Sequence, residues 1–273
     1  MNCGAKLQGP YCATCGQRRE THPPTVGHLL EEVVETLTHA DSRLWRTMQL
    51  ILSKPGLLTV EFLAGRRQRY LPPIRLYFIV SFVFFLLLTF QSDKFVDVRD
   101  SELSGAVDKC QQLVYRGPFP DQLEPRFRSA CVRTLRDLEQ GGGQLSRGFL
   151  HSLPKAMFLL LPLFAGILNL FYWRPRRLYA EHLLFLVHHH SAVFLALIFV
   201  FVLDRVMPAS FSGYVILIFL VWLVWYCHRG LRVFHGQGRL RTWAKLIPML
   251  MLYTMLALLI LTFTGIASIL SIS

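Results

Sequence analysis

Three cysteines near the start of the chain, Cys3, Cys12 and Cys15, have the spacing of a metal site. In Tyr11-Cys12-Ala13-Thr14-Cys15-Gly16-Gln17 the cysteines stand two residues apart and are followed by glycine. That pattern forms a turn in which both thiolates face one tetrahedral zinc ion. Asn2-Cys3-Gly4 has the form of the second half of an identical turn. A structural zinc site takes four ligands, and these cysteines supply three. Two completions stay open: a cysteine immediately before Met1, which would repeat the two-residue spacing, or His22. Without metal, the cysteines would be free thiols or a redox pair.

A second group with chemical capacity lies in an apolar stretch from Leu183 to Leu203, entered through Tyr179-Ala180-Glu181-His182 and carrying His188, His189 and His190. Ionisable groups in a membrane-length segment are costly, so they call for a reason. Glu181 and His188 are seven residues apart, as are His182 and His189. Each pair therefore shares a helix face, separated by roughly 10 Å. The three consecutive histidines point in three directions and cannot ligate together from one helix. Partners must come from other segments, where Asn169, Asp204, Cys227, His228 and His235 are available. A cluster of Glu181, His182 and His228 with nearby arginines is expected at one end of the spans, with His188 and His189 deeper. Such groups bind a metal, relay protons or line a solute path. Equally, they can be neutral histidines bonding neighbouring helices, with Glu181 paired to arginine. No phosphate loop, nucleophile elbow or metalloprotease helix pair fixes a reaction.

These residues need elements to position them, and composition says which. The chain of 273 residues is 53% apolar and carries a formal charge of +12. This is the profile of a multi-span membrane protein, in which the Lys/Arg excess is explained first by cytoplasmic loops. The N-terminal stretch is polar, without the apolar core of a secretory signal, so insertion is expected to start at the first internal span. Candidate spans run over about Ile74–Phe90, Ala156–Trp173, Leu183–Leu203, Tyr214–Tyr226 and Leu246–Leu270. Arg66, Arg67, Arg69 and Arg75 precede the first, and Arg174, Arg176 and Arg177 separate the second from the third. Arg229, Arg232, Arg239, Arg241 and Lys245 separate the fourth from the fifth. Five spans put all three basic clusters on one side, the cytoplasmic side. The N-terminus is then cytoplasmic and the C-terminus extracytoplasmic.

The stretch Gln91–Leu150 then lies outside as a loop domain, with nine basic residues matched by nine acidic ones. Cys110 and Cys131 are its cysteines, and in an oxidising compartment they are expected to form a disulfide. Closing a loop of about 20 residues would stabilise it by roughly 3 kcal/mol in the loop-entropy model. Gly141-Gly142-Gly143 reads as a flexible joint back to the membrane.

Between ribbon and first span, residues 23–73 read as amphipathic helices. One has the stripe Val26, Leu29, Leu30, Val33, Val34 and Leu37, with Glu31, Glu32 and Glu35 opposite. A second follows Asp41 as N-cap, with the stripe Leu44, Trp45, Met48, Ile51 and Leu52, and ends at Lys54-Pro55-Gly56. A third, about Leu57–Ala64, stops at Gly65. All are too short to span a bilayer, so they lie on the inner membrane surface or pack beneath the spans.

The series Asn2-Cys3-Gly4, Tyr11-Cys12-Ala13-Thr14-Cys15-Gly16-Gln17, Thr47, Pro55-Gly56, Gly65-Arg66-Arg67, Tyr70-Leu71-Pro72-Pro73 and Tyr179-Ala180-Glu181-His182 resembles a family of uncharacterised bacterial membrane proteins, catalogued as domain of unknown function 3667. That family usually opens with two cysteine pairs, and this chain departs from it in lacking the first cysteine. The resemblance implies a bacterial inner-membrane location and a zinc ribbon, and no activity.

The expected architecture is an all-α membrane protein: a small zinc ribbon over residues 1–22, cytoplasmic amphipathic helices over 23–73, and a five-span domain over 74–273 with the loop 91–150. The expected function is a cytoplasmic docking or scaffold module held in the membrane, with structural zinc as its cofactor. Its partners would be the lipid bilayer and a cytosolic protein or second copy; nucleic acid is disfavoured, since Arg18 and Arg19 have no aromatic or basic surroundings. The alternative is a small-solute or ion transporter, or a metal-dependent membrane enzyme, built on Glu181 and the histidines.

Overall fold

The computed structural model describes residues 42–90, 106–112, 119–139, 143–173 and 177–271, with Ala5, Cys12, Thr14, Val114 and Gly117 as isolated positions. Among these residues every regular element is helical and no strand occurs. The chain divides into two compact units, Met1–Phe84 with Leu161–Met251, and Phe85–Leu160 with Leu252–Ser273.

In the first unit α1 runs over Ser42–Ser53 and α2 over Leu57–Leu63. The two are separated by Lys54-Pro55-Gly56, where Gly56 adopts a left-handed φ of 78° that only glycine takes without strain. The apolar stripe expected on α1 is only partly the buried one: Ile51 is buried together with Thr47, whereas Trp45 is exposed. Thr47 earns its place by hydrogen bonding. Its hydroxyl donates to the Arg43 carbonyl (2.6 Å) and accepts the Leu71 N–H (3.0 Å), which pins the Tyr70-Leu71-Pro72 linker against α1. Seven residues cannot sustain a helix by propensity, so α2 depends on packing, with Leu58 and Thr59 buried. Beyond it, the Arg66 guanidinium makes two hydrogen bonds to the Glu61 carboxylate.

Helix α3, Pro73–Thr89, starts on a proline at its first turn and presents Leu76, Tyr77, Val80 and Ser81 as a buried face. Tyr77 and Phe84 both pack on Phe194, at ring-centroid distances of 5.9 and 5.0 Å. The other long helices are α6 (Gly143–Phe171), α7 (Tyr179–Val206), α8 (Ser212–His235) and α9 (Arg239–Ser271). A short 3-10 turn, Ala209–Phe211, precedes α8.

In the second unit, α4 (Ala106–Gln111) and α5 (Pro120–Glu139) are joined by a disulfide between Cys110 and Cys131, with Cα atoms 5.7 Å apart. Ala156 and Leu160 of α6 pack against Ile260 of α9 to form a small apolar core.

Among the described residues four helices are long and apolar enough to cross a membrane: Gly148–Phe171, Tyr179–Val206, Ser212–His235 and Arg239–Ile269. The protein is an integral, multi-pass membrane protein. Helix α3 is apolar but 17 residues long, at the short limit for a span. The long helices extend further than their apolar runs, α6 and α8 most of all. Helix α6 begins at Gly143, the last glycine of the expected joint, and α8 continues past Tyr226 to His235 before Gly236, at φ 65°, stops it. The polar end of α8 stays helical because it is buried against its neighbours: Tyr226, His228, Leu231, Phe234 and His235 are all covered. Outer residues of the same helix, among them Leu217, Ile218 and Val221, are exposed apolar surface of the kind lipid covers.

Candidate functional site

Helices α7 and α8 pack antiparallel in a register that assigns each histidine its neighbour. His182 lies beside His235 (5.3 Å between rings), Phe185 stacks on Phe234 (4.7 Å), and His189 Nε2 is 3.3 Å from the Cys227 sulfur. Positions 182, 185 and 189 are three and four residues apart and so form one helix face. His188 points elsewhere, and its Nδ1 is 3.0 Å from the hydroxyl of Thr59 on α2, with both side chains buried. His190 turns back on its own helix, with Nδ1 2.9 Å from the Leu186 carbonyl. Three consecutive histidines thus serve three different contacts, as their angular spacing requires.

Helices α1 and α2 are seated on the α7/α8 pair. The Tyr226 hydroxyl donates to the Ile51 carbonyl at 2.6 Å. Ile51 is in the last turn of α1, where carbonyls lack an intrahelical partner, so this phenol caps the helix. Gly56 approaches the backbone of Gly230 so closely that a Cβ there would stand 2.6 Å from the Gly230 oxygen. A Cβ on Gly230 would in turn meet the Phe185 ring at 3.6 Å and the Pro55 side chain at 3.7 Å. Phe62 lies edge-on to His188 at 6.1 Å and carries the Arg67 guanidinium over its face at 4.8 Å. Two buried hydrogen bonds of this kind contribute about 1 kcal/mol each, and losing one partner costs up to about 3. The Arg66 bonds hold the Glu61 carboxyl below its ordinary value of 4.5.

A second polar cluster occupies the ends of these helices. The Tyr172 ring, just past α6, lies flat on His235 at 3.5 Å and 5°, and His182 is 6.5 Å from Tyr172. Lys245 stands 4.1 Å over the Tyr172 ring and donates to the Phe171 carbonyl at 3.0 Å. Arg177 covers the Phe234 ring at 4.3 Å and donates to the Phe234 carbonyl at 2.7 Å. Each cation therefore caps a helix C-terminus, where positive charge is favoured. Glu181 accepts the Leu178 N–H (3.3 Å) and pairs with Arg177 at 3.5 Å.

The expected grouping of Glu181, His182 and His228 is distributed differently. Glu181 meets Arg177, His182 meets Tyr172, Phe234 and His235, and His228 stacks on Trp243 at 4.4 Å. Among the described residues no three of His, Cys, Asp and Glu gather closely enough to hold a metal ion. Of the residues expected to ligate zinc, Cys12 is buried, while Cys3, Cys15 and His22 lie outside the described residues, as does the helix expected over Val26–Leu37. Residues 41–85 match the family model described as protein of unknown function (DUF3667). No curated protein and no solved structure matches the chain. The matched stretch carries Ile51, Gly56 and Thr59, which meet α7 and α8, together with the Thr47–Leu71 bond that braces α1 against the linker before α3.

Thr59, Tyr172 and Tyr226 do not stand out in the sequence. The available signal was the polar run Tyr226-Cys227-His228, with His235 seven residues beyond His228 and so on the same face, which carries the helix past its apolar segment.

Proposed function

We propose that the protein is a five-span inner-membrane protein whose cytoplasmic N-terminal part, zinc ribbon followed by α1 and α2, is a docking or scaffold module held rigidly by the membrane domain. The observation that carries this reading is the seating of α1 and α2 on α7 and α8 through Tyr226–Ile51, Thr59–His188 and Gly56–Gly230. A segment bonded this way to two long helices moves with them, so a partner that docks on α1 and α2 is fixed relative to the membrane helices. The basic flanks orient the N-terminus to the cytoplasm, and α3 serves as the short first span. Zinc would be held by Cys3, Cys12 and Cys15 with a fourth ligand from upstream or His22, and would supply folding energy to the ribbon. Against the transporter or enzyme reading stands the dispersal of the histidines onto separate neighbours.

The full chain is expected to purify with one zinc per molecule, lost in Cys12→Ser and Cys15→Ser. Photo-cross-linking in cells from a probe at Arg18 is expected to capture a defined cytosolic protein or a second copy, and to fail in the same cysteine variants. Proton or ion flux in proteoliposomes that disappears in His188→Ala would overturn the docking reading.

A further inference from the structure

Where α6 and α8 end and α7 and α9 begin, Tyr172, His182 and His235 are 1%, 0% and 5% exposed. The Tyr172 hydroxyl, all four imidazole nitrogens and Nε of Arg177 have no hydrogen-bond partner among the described residues. Buried polar side chains are as a rule hydrogen-bonded, so six such atoms in one cluster point to a ligand. The rings touch one another, which makes this one site: 3.5 Å from Tyr172 to His235 and 5.3 Å from His182 to His235.

The surroundings select the sign of the ligand. Lys245 stands over the Tyr172 ring, and Arg177 stands over Phe234, whose ring is 4.7 Å from that of His235. The carboxylate at the cluster is that of Glu181, already paired with Arg177. The next acidic residue in the chain, Asp204, is 22 residues beyond His182, about 33 Å along the helix. A cation would meet two fixed positive charges with little to offset them. Ring geometry also opposes a metal. A bound ion lies in the plane of its imidazole and about 2 Å from an oxygen ligand, yet the Tyr172 ring is parallel to His235 and 3.5 Å from it. An anion meets four donors: the Tyr172 O–H, one N–H from each neutral imidazole, and the Arg177 Nε–H.

We propose that Tyr172, Arg177, His182 and His235 form a binding site for a phosphate-type oxyanion, with Lys245 adding positive charge. The phosphate belongs either to an acidic lipid headgroup, which basic pockets between membrane helices take up, or to a soluble phosphate. This site is independent of the zinc ribbon and of any docking role.

The test uses the full chain in nanodiscs. In one arm inorganic phosphate is titrated into phosphatidylcholine discs; in the other, phosphatidylglycerol discs are compared with phosphatidylcholine discs without phosphate. A saturable rise in Tm is expected in at least one arm, and the arm that responds identifies the source. The variant Tyr172→Phe/His235→Phe keeps both rings and removes three of the unpartnered atoms. It removes two of the four donors and is expected to weaken the phosphate midpoint by about a hundred-fold, roughly ten-fold for each lost buried hydrogen bond, or to abolish the phosphatidylglycerol increment. Its ligand-free Tm should stay level or rise. Tyr172→Phe alone, which deletes a single oxygen, must shift binding in the same direction and serves if the double variant does not fold. No response in either arm, a response unchanged by these variants, or stabilisation by zinc ions that the variants remove would overturn the proposal.

Discussion

Gly56 faces the backbone of Gly230 at a distance that leaves no room for a methyl group: a Cβ on Gly56 would lie 2.6 Å from the Gly230 carbonyl oxygen, while one on Gly230 would meet only ordinary contacts at 3.6 Å. Gly56 also sits at φ 78°, which costs any other residue about 1–2 kcal/mol before the clash is counted. Gly56→Ala is therefore expected to lower the Tm in detergent strongly and to expose α2 to limited proteolysis. Gly230→Ala is expected to be mild, and equal effects of the two would contradict the described approach.

The Tyr226–Ile51 bond makes a separate prediction. Tyr226→Phe keeps the ring and removes the donor, leaving a buried helix-end carbonyl unpaired at a cost of about 1–3 kcal/mol. Thermal unfolding measures it; a loss within experimental error would mean that the carbonyl finds another donor.

Thr59 and His188 should be coupled. Thr59→Val is close to isosteric, so a double-mutant cycle with His188→Leu isolates the bond between them, with an expected coupling of about 1 kcal/mol. Additive losses would mean that the two side chains pack without bonding.

Acid should weaken the α2 region through Glu61. Its folded pKa lies below the ordinary 4.5 because Arg66 hydrogen-bonds the carboxylate. The ion pair therefore contributes stability above about pH 4.5, which is lost as pH falls through the folded value. Between pH 5 and 3 wild type should lose Tm more steeply than Glu61→Gln. Parallel slopes for the two proteins would dismiss the linkage.

Reducing the Cys110–Cys131 bridge, which joins residues 21 apart, should destabilise the α4–α5 hairpin by about 3 kcal/mol. Cys131→Ala should reproduce this and make Cys110 reactive to a thiol reagent applied outside intact cells. Labelling only after membrane disruption would reverse the proposed orientation.

Much of the helical framework was legible beforehand. Apolar runs located the long helices, and Gly56 and Gly65 bracketed α2, because span length, helical period and left-handed stops are encoded within a few consecutive residues. The face of α1 was less legible. Its buried line includes Thr47, which is inside because it bonds Arg43 and Leu71, and a stripe drawn through apolar residues favours the exposed Trp45 instead.

The sequence by itself determined that this chain is an all-helical membrane protein and that His188, His189 and His190 cannot act together, since both follow from local hydrophobicity and the angle between successive residues. Only the tertiary structure decided what each histidine meets. His188 finds Thr59 across 129 residues, and Tyr226 reaches Ile51 across 175. Contacts of that separation depend on the register of α7 against α8 and on the close approach allowed at Gly56 and Gly230, which arise from the packing of whole helices and leave no trace in any single stretch of sequence.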